Sequence, residues 1–111
     1  MIKIKNFING AITANSLNYL PIIDPSKGEI IGDVVISDQE DVKNCIQSSK
    51  NAFQNWSEIT PLKRSRILQK YKEIIEKNIE ELAKIISEEH GKTLDDAKGS
   101  VIRGLEVVEF A

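Results

Sequence analysis

The hydrophobic period of this chain changes once, near Ser37, and that change limits the folds open to it. Before Ser37 the apolar residues come in short runs broken by Gly, Pro and Asn, with a period near two. After it they recur at spacings of three and four, which is the 3.6-residue period of an amphipathic helix. Strands followed by helices imply an α+β order. At 111 residues the chain can bury one core at most. The expectation is strands within 7–36, three or four amphipathic helices within 38–111, and a single incomplete domain.

Local chemistry refines that outline. Asn9-Gly10, flanked by Phe7-Ile8 and Ala11-Ile12, supplies the positive φ angles of a tight hairpin. Tyr19–Ile23 contains Pro21, which cannot donate to a ladder, so this strand should lie on an edge or break there. Asp24-Pro25-Ser26-Lys27-Gly28 reads as a turn with Pro25 at its second position. The β-branched residues between Glu29 and Ile36 favour another strand. Ser37-x-x-Glu40 predicts a capping box, after which Val42, Cys45, Ile46, Ser49, Phe53 and Trp56 share one helix face.

Thr60-Pro61 opens a second helical segment, and the pattern from Leu62 to Glu89 fits one long helix or two joined near Asn78. Glu73 with Lys77, and Glu80 with Lys84, have the order of favourable i, i+4 surface pairs. Gly91 stands where a left-handed residue would end a helix, and Thr93 where the next would be capped. The last helix, from Leu94, puts Leu94, Ala97, Val101, Leu105 and Val108 on one stripe and runs to the end without a stop signal.

Fifteen basic residues against seventeen acidic ones give a net charge of -2, which offers no footprint for nucleic acid. No apolar run approaches the roughly 18 residues that would span a bilayer, and no secretion signal is recognisable. Cys45 is the only cysteine, so no intramolecular disulfide or thiolate zinc site is possible and a reducing, cytoplasmic setting is expected.

Few residues suggest chemistry. Cys45 lies mid-helix on the apolar face and is expected to be a buried structural thiol rather than a nucleophile. His90, the only histidine, is expected to close a helix, where its partial charge meets the dipole. Gly28 and Gly32 read as two turn glycines. Gly91-Lys92-Thr93 copies the end of a phosphate loop, but Ile86 replaces the opening glycine and a helix precedes it. Trp56 reads as a core or interface aromatic. Arg103 differs, because it shares a helix face with Gly99, Ser100 and Glu106. A planar guanidinium beside bare backbone suits a carboxylate, although a surface pair of Arg103 with Glu106 would use the same residues.

The order Phe7-Ile8-Asn9-Gly10, Asp24–Gly32, Ala52-Phe53-Gln54-Asn55-Trp56-Ser57 and Glu89–Leu94 resembles the N-terminal part of an aldehyde dehydrogenase. The closing run Gly99–Ala111 is similar to the methylmalonate-semialdehyde, CoA-acylating branch. The resemblance implies a fragment of the aldehyde dehydrogenase α/β fold. It also implies an NAD-dependent enzyme that oxidises malonate or methylmalonate semialdehyde and passes the acyl group to coenzyme A. In the family a cysteine nucleophile and the nicotinamide-binding glycine loop lie well beyond residue 111. This chain is therefore expected to hold no catalytic, cofactor-binding or metal-binding residue and to be inactive alone. Arg103 matches the family arginine that holds the substrate carboxylate. Ser100 departs from the usual pattern, in which an acidic residue precedes the Val, and His90 from one in which Asn or Gln is common.

The expected partners are the remainder of the dehydrogenase and further copies in a homo-oligomer. The alternatives are a non-catalytic remnant or subunit that joins a separately encoded remainder, and a water-accepting aldehyde dehydrogenase.

Overall fold

The computed structural model describes residues 1–111 and has two compact units. The first unit comprises Met1–Ile23 and Gly28–Glu58; the second comprises Asp24–Lys27 and Ile59–Ala111. Its α+β order is β1 (Ile2–Ile4), β2 (Asn6–Ile8), β3 (Ala11–Thr13), β4 (Tyr19–Asp24), β5 (Glu29–Val35), α1 (Gln39–Trp56), α2 (Pro61–Lys77), α3 (Ile79–His90) and α4 (Leu94–Phe110).

In the first unit, β2 and β3 form the expected hairpin, with Phe7 opposite Ile12 and Ile8 opposite Ala11. Asn9 and Gly10 take φ angles of 51° and 74°, the two left-handed residues a type I′ turn demands. The other sheet has the order β1-β5-β4, which leaves β4 and its Pro21 on an edge as a missing N–H requires. β1 was not expected: Ile2, Lys3 and Ile4 pair in parallel with Gly32, Asp33 and Val34 of β5. Gly32 is therefore a strand residue rather than a turn glycine. A Cβ there would stand 2.9 Å from the Ile2 carbonyl oxygen, so the bare position admits the neighbouring strand.

The start of α1 lies one residue later than the sequence suggests. Asp38, not Ser37, is the N-cap, and Asp41, not Glu40, completes the capping box. Tertiary bonds select that register. The Asp41 carboxylate, 4% exposed, accepts the backbone N–H of Asn15 at 2.6 Å, of Asp38 at 3.0 Å and of Ser16 at 3.2 Å. These donors hold its pKa below the ordinary value, Asn15 contributing most. Ser37 bonds instead to the Asn6 side chain at 3.0 Å.

In the second unit, Asn78 separates α2 from α3, which decides between the two helical readings. The α4 stripe meets α2 and α3. Ala97 and Leu105 are buried, with Val101 and Val108 half-buried; Leu94 is exposed. Ala83 of α3 is fully covered, as a close helix crossing needs. Gly91 ends α3 in the left-handed region at φ 82°, its N–H bonded to the Ser87 carbonyl. The Thr93 hydroxyl accepts the Asp96 N–H at 3.3 Å and caps α4. The Asp24–Lys27 turn closes with Lys27 N–H donating to the Asp24 carbonyl, and Ser26 donates twice to the Asp24 carboxylate. Those two bonds, the hydroxyl one first, lower the Asp24 pKa.

The surface pairing differs from expectation. Glu80 binds Lys98 of α4 at 2.6 Å instead of Lys84, and this bond raises the Lys98 pKa above 10.5. Glu73 accepts from Gln69, while Lys72 reaches Glu76 and Glu109. Bonds between helices thus displace pairs a lone helix would favour.

Candidate functional site

The α4 segment Asp96–Arg103 presents one face through spacings of three and four, with Gly99 and Ser100 between the two charged residues. Arg103 is exposed, and its Nη2 donates to the Ser100 hydroxyl oxygen at 3.2 Å. Its Nη1 lies 3.5 Å from where a Gly99 Cβ would be, so the guanidinium folds back over the bare strip. The expected pair with Glu106 does not form: Arg103 turns toward the N-terminus of α4, the direction in which helical side chains lean. A guanidinium has five N–H donors, so Arg103 keeps open donors beside solvent, free of any carboxylate partner.

Lys92 joins the same oxygen. It lies in the turn before α4, its side chain 21% exposed, with Nζ 3.0 Å from Ser100 Oγ and 3.8 Å from the Asp96 carboxylate. Ser100 in turn donates to the Asp96 carbonyl at 3.3 Å. The face shared by Ser100 and Arg103 was legible in the helix spacing, although the i, i+3 pair read there was Arg103 with Glu106. The place of Lys92 was not legible, because it depends on how the α3–α4 turn brings an off-helix residue back over α4.

Cys45 is exposed, which corrects the expectation of a buried thiol. It lines an apolar trough of 560 Å³ with Ile46 and Phe53, and Val42, Ile46 and Phe53 on the same face are each more than half exposed. The α1 stripe has the predicted spacing but no covering layer within these residues. Cys45 also lies beyond the first turn of α1, away from the free N–H groups at the start of the helix.

His90 occupies the last turn of α3, where the dipole favours positive charge. Gly91-Lys92-Thr93 joins two helices, and Gly32 is filled by the Ile2 backbone, so neither glycine motif forms a cradle for a dinucleotide pyrophosphate. No group of three or more His, Cys, Asp or Glu side chains converges on one point. No helix is long and apolar enough to cross a membrane.

A short sheet and hairpin leading into four helices is a chain order shared with one large class of oxidoreductases. Residues 12–111 match the aldehyde dehydrogenase family, and the chain belongs to it. It is 42% identical over 110 residues to the malonate-semialdehyde dehydrogenase of Bacillus cytotoxicus, which covers 98% of this chain and 23% of that protein. It is 43% identical to malonate-semialdehyde dehydrogenase 1 of Bacillus thuringiensis strain Al Hakam, with the same coverage of both chains.

The methylmalonate-semialdehyde dehydrogenase of Oceanimonas doudoroffii superposes with a TM-score of 0.94 at 34% identity, over 99% of this chain and 22% of that one. An NAD-complexed structure from Sinorhizobium meliloti 1021, assigned to the same activity, gives 0.95 at 38%, over 99% and 23%. The chain thus spans about a quarter of the length of the curated relatives it matches.

Proposed function

We propose that this chain is the N-terminal segment of a dehydrogenase that oxidises malonate or methylmalonate semialdehyde with NAD and transfers the acyl group to coenzyme A. Arg103 holds the substrate carboxylate in that enzyme. The observation that carries this reading is the Arg103 guanidinium, exposed, unpaired by any carboxylate and laid against Gly99 and Ser100. The names of the relatives support the aldehyde assigned. A carboxylate is what separates these semialdehydes from plain aldehydes, and a planar fork recognises it by geometry as well as by charge.

Cofactor, nucleophile and acyl acceptor belong to the remainder of a single domain of which these residues are an incomplete part. Assembly into a homo-oligomer and a cytoplasmic location complete the proposal, the latter in keeping with residues that hold one cysteine and no disulfide.

The test is kcat/KM for malonate semialdehyde and for propanal in the complete protein, with Arg103→Ala beside the parent. Charge-assisted bonds contribute about 1.5 to 3 kcal/mol, so the acidic substrate should lose about one to two orders of magnitude. Propanal should be nearly unaffected. Equal losses on both substrates, or none on either, would overturn the assignment.

A further inference from the structure

We propose that Ser100 is a positioning residue for the Arg103 guanidinium, an inference that rests on the carboxylate-binding reading above. A hydroxyl has one hydrogen to donate and two lone pairs with which to accept. Ser100 uses all three. It donates to the Asp96 carbonyl at 3.3 Å and accepts from Lys92 Nζ at 3.0 Å and from Arg103 Nη2 at 3.2 Å. The bond to the Asp96 carbonyl fixes the rotor on the helix, so the oxygen presents a lone pair to Arg103 in one direction. Lys92, mostly covered and drawn to the Asp96 carboxylate, occupies the other acceptor position.

Nη1 borders Gly99, 3.5 Å from where a Cβ would stand, which is ordinary contact distance, so the guanidinium lies beside that residue without depending on its missing side chain. A long arginine chain otherwise gives up considerable rotamer freedom when it grips a ligand, and a guanidinium already held in place gives up less. Ser100 therefore acts through Arg103 and touches no substrate atom. Its loss should weaken capture of an acidic aldehyde and leave the chemical step alone.

The experiment measures kcat and KM separately in the complete protein for malonate semialdehyde and propanal. The variants are Ser100→Ala, Ser100→Thr, Arg103→Ala and the Ser100→Ala/Arg103→Ala pair. Ser100→Ala should raise KM for the semialdehyde about 3- to 10-fold, the worth of one hydrogen bond, with kcat changed less than about 2-fold. Propanal should not respond. Ser100→Thr keeps the hydroxyl and should restore KM to within about 2-fold of the parent. In the Arg103→Ala background, Ser100→Ala should add nothing, because the group it positions is gone.

A parallel fall on propanal, an undiminished Ser100 effect without Arg103, or failure of threonine to rescue would each overturn the proposal. So would an unchanged KM in Ser100→Ala while Arg103→Ala still discriminates the two aldehydes, a result that leaves the carboxylate reading standing. Indiscriminate loss in Arg103→Ala itself would overturn both.

Discussion

Replacing Gly91 by alanine should destabilise the second compact unit through two separable effects, because the residue is constrained twice. Its φ of 82° lies in the left-handed region, where a Cβ crowds the backbone and costs about 1 to 2 kcal/mol. A Cβ would also stand 2.6 Å from Pro25 Cγ, an atom in a closed ring that cannot rotate away. Forcing a methyl into such a contact costs about 1 to 3 kcal/mol more, so the total is about 2 to 5 kcal/mol.

A double-mutant cycle separates the two. Pro25→Ala removes Cγ and leaves Cβ, which lies at 3.4 Å, so Gly91→Ala in that background should retain only the left-handed cost of about 1 to 2 kcal/mol. Urea unfolding followed by far-UV circular dichroism reads the helices of this unit, with unchanged slopes certifying that the midpoints report stability. Gly10→Ala offers a reference, being left-handed at φ 74° with open space around it, and should cost about 1 to 2 kcal/mol. Equal costs of Gly91→Ala with and without Pro25 would refute the contact.

Acid should loosen the first unit through Asp41. A carboxyl whose folded pKa is depressed stabilises above its unfolded value near 3.8, and that stability is lost as pH falls through the lower folded value. Asp41→Asn should therefore flatten the dependence of unfolding midpoint on pH below about 4, and an unchanged slope would count against the three-donor arrangement. Maleimide should label Cys45 in the native 111-residue chain without denaturant, given its exposure; protection that ends only on unfolding would contradict the open α1 face. The purified chain should show no NAD-dependent oxidation of an aldehyde, and turnover that survives Cys45→Ala would show that these residues suffice for catalysis.

Local rules were most legible where local chemistry decides. The Asn9-Gly10 turn, the Thr93 cap, the Gly91 terminus and the edge position of the strand with Pro21 each follow from one residue's backbone needs. The one-residue shift at the start of α1 shows where such rules stop. Ser37 and Asp38 are both good caps, and the choice is made by Asn15 and Ser16, more than twenty residues away. β1 escaped notice for a similar reason: three residues are too few to show a period, and their partner in parallel pairing is β5. The Cys45 error has another origin. An apolar stripe shows which face prefers cover, and these 111 residues do not supply that cover. At the candidate site the face shared by Arg103 and Ser100 was readable from helix spacing, whereas their bond and the place of Lys92 required the structure to be seen.

The parallel pairing of β1 with β5 makes the first few residues a guard against self-association. With β1 in place β5 is a central strand, and the outermost ladder is one that carries Lys3, whose ammonium lies 5.0 Å from the centre of the Tyr19 ring. Cleavage after Lys5 would turn β5 into a rim. Its Ile30-Ile31-Gly32-Asp33-Val34-Val35 stretch, β-branched and bearing one charge, would then offer unpaired N–H and C=O groups to another molecule. The same trimming removes few buried contacts, since Ile2 is 69% and Ile4 38% exposed, so melting would register it only weakly. Light scattering would register it strongly, and for this protein N-terminal proteolysis would be a matter of solubility more than of folding.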